Sequence, residues 1–326
     1  MTAERIAALG AGRMGRGIAI VFAYAGHPVA LIDFKDRPQP DFDALAAEAR
    51  AEIADTLRLL HELGLFAEAA AIDRILARVT VLPKSAAGPA LAEADYVFEG
   101  FPEVPELKRQ ALAEASRLCG PATVLASTTS TILVDDLSPA VEDPARFLNA
   151  HWLNPAFLVP LVELSPGRAT APEVTARLVA LLERVGKVPV TCAPAPGYIV
   201  PRLQAIAMNE AARLVEEGVA SAEDVEKAVK YGFGLRFSVL GLLEFIDWGG
   251  GDILYYASRY LVEATGEKRY AAPEIVQRNM AEGRIGLKSG AGFLDYAGMD
   301  VPAYRKERLG AFVQRLRDLG LGTGPA

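Results

Sequence analysis

His151 and Glu163 are the two side chains whose types and spacing point most directly to proton transfer. His151 ends the short apolar run Phe147-Leu-Asn-Ala-His151, and Glu163 sits in the next one, Leu161-Val-Glu-Leu164. A carboxylate in an apolar strand is costly to bury unless it is paired. An imidazole partner would satisfy it, fix the ring's tautomer and raise the basicity of the other nitrogen, as a general base requires. The competing reading of Glu163 is a lone carboxylate at a sheet edge. His27, in the turn Ala25-Gly-His-Pro28, and His61, in Leu59-Leu-His-Glu62, read as structural or surface groups. Ser127-Thr-Thr-Ser-Thr131 is either a hydroxyl-rich turn or cap, or a source of a hydroxyl that holds a substrate oxygen. Glu103 and Lys108 follow the strand ending Phe98-Glu-Gly100, and their plain alternative is a solvated ion pair at a helix start.

The element that must position this chemistry opens the chain. Gly10-Ala-Gly-Arg-Met-Gly15 lies between the apolar run Arg5–Leu9 and a helical stretch from Met14 to Ala25. A second apolar strand, Pro28–Asp33, follows and ends in an acid. Strand, glycine turn, helix, strand and acid together mark a dinucleotide site. Gly10 allows the tight turn, Gly12 lets backbone approach a pyrophosphate, and Gly15 lets the helix pack close to the strand. Arg13 and Met14 complete the loop, and the helix N-terminus offers free N–H donors to phosphate. Asp33 lies where a carboxylate accepts from a ribose 2′-hydroxyl and repels a 2′-phosphate, so the expected cofactor is NAD rather than NADP. Arg37 is the counterargument, since a nearby arginine could hold that phosphate.

The bulk numbers narrow the class. With 326 residues, 51% of them hydrophobic, the chain is long enough for two domains with a large core. Its formal net charge of −7 argues against nucleic acid as a partner. No apolar run reaches bilayer length, and the first strand begins too early for a signal segment, so no membrane is expected. Cys119 and Cys192 give neither a disulfide framework nor a metal knuckle, which suits a reducing cytoplasm and implies no metal.

The first half alternates strands with helices. Further strands are expected at Val79–Leu82, Tyr96–Glu99, Thr123–Ala126 and Val188–Thr191, and helices over Glu106–Leu118 and Val174–Val185. The acidic stretch Asp41–Leu63 and the stretch Ala67–Ala77 are expected to form a projecting helical hairpin. Ala193-Pro-Ala-Pro-Gly197 is the strongest boundary, and helical periodicity dominates beyond it. Helices are expected over Tyr198–Glu217, after the capping box Ser221–Asp224, and over Leu240–Trp248, Ile253–Ala264, Pro273–Glu282 and Val301–Leu316. The fold class is therefore α/β, a Rossmann-type, doubly wound, mostly parallel sheet over residues 1–195, with a smaller all-α domain over 196–326.

These blocks together resemble the L-3-hydroxyacyl-CoA dehydrogenases nearly end to end. The resemblance rests on Gly10–Ala19, Glu103 with Lys108, Ala126–Ser130, His151-Trp-Leu-Asn-Pro155 with Val162-Glu163, Pro196–Arg202 and Lys288–Phe293. It implies a two-domain NAD-dependent enzyme, a homodimer through its helical domain. It implies His151 as catalytic base, Glu163 as its partner, Ser130 on the 3-hydroxyl, and Asn154, Glu103 and Lys108 around the cofactor.

Three departures affect the substrate. Pro201 stands where the family pattern has a polar Asn, and Thr128 replaces an Asn in the serine turn. Arg236, in Tyr231–Phe237, stands where CoA-using members more often have an uncharged turn. That segment is similar to relatives acting on free hydroxy acids, such as L-carnitine or L-gulonate dehydrogenases. A buried arginine there would grip a carboxylate bidentately, whereas an exposed helix-end arginine is the plain alternative. The Asp41–Ala77 region, where acyl-CoA members place basic groups, has no lysine and offers Arg50, Arg58 and Arg74. Family frequency puts a short L-3-hydroxyacyl-CoA such as 3-hydroxybutyryl-CoA first among substrates. A free 3-hydroxy acid anchored by Arg236 comes second, and a non-catalytic NAD-binding protein third.

Overall fold

The computed structural model describes residues 3–321. Contacts divide the chain into two compact units at Ala207–Met208.

The first unit is built on strands β1 (Ile6–Leu9), β2 (Val29–Asp33), β3 (Val79–Pro83), β4 (Tyr96–Glu99), β5 (Val124–Ser127), β6 (Phe147–Trp152), β7 (Leu161–Pro166) and β8 (Val188–Thr191). They form one sheet in the order β3-β2-β1-β4-β5-β6-β7-β8. The first six run parallel; β7 turns antiparallel to β6, and β8 pairs parallel with β7. The strands are near-continuous apolar runs because both faces are covered. Ile6 and Ala8 join one core with Phe22, Phe98 and Trp152, while Ala7 and Leu9 join the other with Leu112, Leu125 and Phe147.

Its helices are α1 (Arg13–Tyr24), α2 (Gln39–Glu62), α3 (Ala71–Leu76), α4 (Ala87–Ala92), α5 (Pro105–Leu118), α6 (Val134–Leu137) and α7 (Pro172–Arg184). The second arm of the hairpin is shorter than expected. Ala49, Ile53 and Leu57 of α2 are buried in the core that also contains Ile18 and Phe22 of α1. The stripe is marked in the sequence by Phe42, Ile53, Leu57 and Leu60 at helical spacing, but which surface it meets is not. The β3–β4 crossover also contains α4, which its internal Gly88-Pro89 conceals from a periodicity argument.

Helix α8 (Val200–Glu216) carries the chain into the second unit. There follow α9 (Ala222–Ala228), a π-helical turn (Val229–Gly234), α10 (Leu235–Phe237), α11 (Leu242–Gly249), α12 (Gly251–Thr265), α13 (Glu274–Ala281) and α14 (Val301–Asp318). Ser221 caps α9, its Oγ accepting from Asp224 N–H at 3.1 Å. The centre of this unit is the buried carboxylate of Asp247. It accepts from Phe293 N–H at 2.9 Å, Leu294 N–H at 2.8 Å and Tyr296 O–H at 3.2 Å. A Cβ on Gly292 would lie 2.0 Å from Asp247 Oδ1, so the loop Lys288–Phe293 needs glycine there to wrap the acid.

No helix among the described residues is long and apolar enough to cross a membrane.

Candidate active site

The parallel order places the carboxyl ends of β1, β4, β5 and β6 along one sheet edge, where open α/β sheets bind ligands. The antiparallel turn into β7 sets His151 directly opposite Glu163. Their side chains meet, with His151 Nδ1 2.8 Å from Glu163 Oε2. Glu163 has no exposed surface, and its other oxygen accepts from Ile199 N–H at 2.9 Å and Val200 N–H at 2.8 Å. Three donors thus satisfy a charge that would otherwise be costly to bury. A carboxylate accepts and does not donate, so Nδ1 carries a proton, and in the neutral ring Nε2 is the nitrogen with the lone pair.

The Ser127–Thr131 turn leaves β5 at the same edge. Glu103 organises it: Oε1 accepts from the N–H groups of Ser130 at 3.0 Å and Thr131 at 2.9 Å, and from the hydroxyls of Thr129 and Thr131. Burial acts against that charge, but the threonine hydroxyls and the Lys108 ammonium outweigh it and hold the Glu103 carboxyl below its ordinary value. Lys108 is not a solvated residue. Its side chain is 1% exposed, and its ammonium donates to Glu99 Oε1 at 2.9 Å, with Glu103 Oε2 at 3.5 Å. Ser127 Oγ donates to the other oxygen of Glu99. Lys108 reads as surface in sequence because the acid that pairs with it inside the fold, Glu99, is hidden at the end of an apolar strand.

The glycine loop has the geometry that a dinucleotide needs. Gly10 has φ 95°, and a Cβ on Gly15 would lie 2.0 Å from Gly10 O. Gly12 faces open space and is the N-cap of α1, whose first turn holds no acid. Arg13 and Met14 form that turn. A cavity of about 390 Å³ lies beside the loop, with Gly10, Gly12, Asp33, Arg37 and Phe101 on its walls. Arg37 donates from Nε to Asp33 Oδ2 at 2.6 Å, so its charge is already matched by the acid. A second cavity of about 360 Å³ is lined by Arg13, Arg16, Thr56 and Asn154.

Pro201 lies in the first turn of α8, where a missing N–H costs nothing. Arg236, in the second unit, is exposed rather than buried, and its guanidinium lies over the Phe245 ring at 5.5 Å.

Four residues of the first unit were not singled out from sequence. Glu99 is one, although an acid ending an apolar run is the same signal that Glu163 gives. Arg16 is buried in α1 and pairs with Glu48 at 3.0 Å and with Glu52, which clasps α2 to the glycine loop. Asn149 Nδ2 donates to Ile132 O at 2.9 Å and to the Tyr198 hydroxyl at 3.0 Å. Tyr198 stacks on His151 with ring centroids 5.0 Å apart. Its only sequence signal is its place directly after Pro196-Gly197.

The family model for the 3-hydroxyacyl-CoA dehydrogenase NAD binding domain matches residues 5–195, and that for the C-terminal domain matches residues 197–296. A 5-formyl-3-hydroxy-2-methylpyridine 4-carboxylate 5-dehydrogenase of Mesorhizobium japonicum is 30% identical, covering 94% of each chain. A "probable 3-hydroxybutyryl-CoA dehydrogenase" of Deinococcus radiodurans is 32% identical over 88% of this chain and 98% of its own. The crystal structure of a 3-hydroxyacyl-CoA dehydrogenase from Archaeoglobus fulgidus superposes with a TM-score of 0.78 at 32% identity, covering 98% of this chain and 99% of that one. The chain therefore belongs to the NAD-dependent 3-hydroxyacyl-CoA dehydrogenase family of oxidoreductases.

Proposed function

We propose that this protein oxidises the 3-hydroxyl of an L-3-hydroxyacyl compound to the ketone, with His151 as proton acceptor. The observation that carries this reading is the buried pair of His151 Nδ1 and Glu163 Oε2 at 2.8 Å. Nε2 takes the hydroxyl proton, and Glu163 holds the ring in the acceptor tautomer and stabilises the imidazolium that forms. Ser130, on the turn clamped by Glu103, holds the substrate oxygen. Gly10, Gly12, Arg13, Met14 and Gly15 cradle the pyrophosphate of NAD, Asp33 takes the ribose, and Asn154, Glu103 and Lys108 lie around the cofactor. NAD, when bound, supplies the two-electron acceptor. In the reverse direction, protonated His151 returns the proton to the oxygen. The working form is a homodimer, which sedimentation equilibrium checks.

The family's own substrate, a short acyl-CoA thioester such as 3-hydroxybutyryl-CoA, is the first reading. A specific observation supports a free hydroxy acid as the second. Helix α2 carries six carboxylates against two arginines, and a phosphate-rich carrier meets a negative surface there. The nearby cations are engaged, Arg50 with Val79 O, Arg58 with Asp55 and Arg74 with Glu68. The Mesorhizobium relative, by its name, acts on a free carboxylate. In that reading Arg236, unengaged by any carboxylate among the described residues, anchors the acid.

The test follows NADH absorbance with L-3-hydroxybutyryl-CoA and with a panel of free 3-hydroxy acids. Turnover on the thioester alone removes Arg236 from the site, whereas turnover on one free acid makes Arg236→Met a strong KM variant. His151→Gln abolishes turnover by orders of magnitude while NAD binding stays nearly intact. Equal loss of both sinks the assigned role, and an inert wild type that still binds NAD favours the non-catalytic reading.

A further inference from the structure

Tyr198 is the only non-glycine residue with positive φ among the described residues, at 45°. A bulky residue in the left-handed region is strained and persists only where its surroundings over-determine it. Here they do. The ring lies parallel to the His151 imidazole, with an interplanar angle of 7° and centroids 5.0 Å apart. The hydroxyl donates to Thr129 O at 2.9 Å and accepts from Asn149 Nδ2 at 3.0 Å. The next two backbone N–H groups, of Ile199 and Val200, both end on Glu163 Oε1. Tyr198 is 7% exposed, and burial pushes its phenol well above the ordinary value, so the hydroxyl stays a donor at neutral pH.

These contacts close a circuit. Glu163 holds His151 by one oxygen and the backbone beside Tyr198 by the other. The Tyr198 ring covers one face of the imidazole, and its hydroxyl reaches the turn that carries Ser130. A core tyrosine needs none of this: a Phe in relaxed backbone would fill the same space.

We propose that Tyr198 is a positioning residue for His151: its ring sets the plane of the imidazole, and its hydroxyl ties that plane to the Ser127–Thr131 turn. The proposal rests on His151 being the proton acceptor, so its test keeps the two apart. Proton transfer is steep in geometry, and a displacement of about 1 Å can cost about 10²-fold in rate.

The chain has three histidines, so its imidazole carbon-bound protons can be followed by NMR, with His151→Gln identifying one set. In the wild type, the His151 signals are displaced upfield by the ring that faces them. Tyr198→Phe keeps that displacement and Tyr198→Leu abolishes it. Wild-type His151 signals without the displacement overturn the stack, whether or not the Leu variant folds. In turnover, Tyr198→Leu lowers kcat by about 10²-fold and leaves KM for NAD unchanged. Tyr198→Phe loses one neutral hydrogen-bonding group and lowers kcat by about 5-fold. A kcat equal to wild type in Tyr198→Phe removes the hydroxyl tie, and one in Tyr198→Leu removes the role altogether. Full turnover in His151→Gln would overturn the proton-acceptor reading instead, and the NMR arm would still report whether Tyr198 sets the ring.

Discussion

Glu163 in the first unit and Asp247 in the second are both carboxylates sealed from water, 0% and 2% exposed. Each has three donors within hydrogen-bonding distance. Two of the three are backbone N–H groups in both cases. The third differs. For Asp247 it is the Tyr296 hydroxyl, whose phenol is pushed upward by burial and then by the charge of Asp247. That donor keeps its proton at any working pH. For Glu163 it is an imidazole with a second nitrogen that can accept a proton from elsewhere. Burial and full satisfaction therefore do not separate chemistry from architecture. What separates them is whether one partner of the buried charge can pass a proton on.

Exchanging each acid for its amide breaks the comparison most sharply. Glu163→Gln removes the acceptor that fixes the His151 tautomer, and kcat is expected to fall by about 10²–10⁴-fold. Asp247→Asn is expected to leave kcat per folded molecule near wild type while lowering the melting temperature. Steady-state kinetics beside a thermal melt on each variant checks both. A catalytic loss as large in Asp247→Asn as in Glu163→Gln would collapse the distinction.

Stability gives the next largest effect. Asp247→Ala leaves Phe293 N–H, Leu294 N–H and Tyr296 O–H without their acceptor, at a cost of about 3–5 kcal/mol in urea unfolding. A third buried acid, Glu99, falls between the two. It is held by a charge, Lys108, whose ammonium also donates to Phe101 O at 3.0 Å and faces Glu103 Oε2 at 3.5 Å. Lys108→Met strands Glu99 without its cation and is expected to cost about 3 kcal/mol. Because Glu99 also holds Ser127, the loss should be accompanied by a lower kcat, unlike that of Asp247→Ala. If Lys108→Met loses stability alone, Lys108 belongs with the architecture.

How much of this was legible follows the same line. The glycine loop, Asp33, and the His151–Glu163 pairing are readable because each is a local signal: a spacing, or an acid inside an apolar run. The sheet, and the helices of the second unit, follow from periodicity to within a few residues. The burial of Lys108 is not legible because it depends on Glu99, which meets it only through the turn after β4. The apolar stripe Phe42, Ile53, Leu57 and Leu60 of α2 is readable at helical spacing, but the surface it packs against is not. Tyr198 is missed because nothing in its type or spacing says that its ring would lie on His151. That contact exists only once Glu163 has captured the start of α8.

Lys187 supplies the smallest effect and inverts the sign of the charge. Its ammonium donates to the carbonyls of Ala156 and Val159, with the Trp152 ring 5.6 Å away. Like Asp247, it is a buried charge held by backbone. Burial pushes its pKa down from 10.5 to about 8. In the unfolded chain the lysine titrates near its ordinary value of ~10.4. Between those two values the unfolded state binds more protons than the folded state, so stability rises with pH across that window. Below about 8 both states are protonated, the charge is buried at its full desolvation cost, and the contribution is lost. Wild type should therefore gain stability relative to Lys187→Met as pH rises from about 8 toward the ordinary lysine range. Urea melts of the two proteins across that window measure the difference directly, because every other titrating group is common to both. Parallel slopes would mean that Lys187 keeps its proton on folding and stays charged inside the fold.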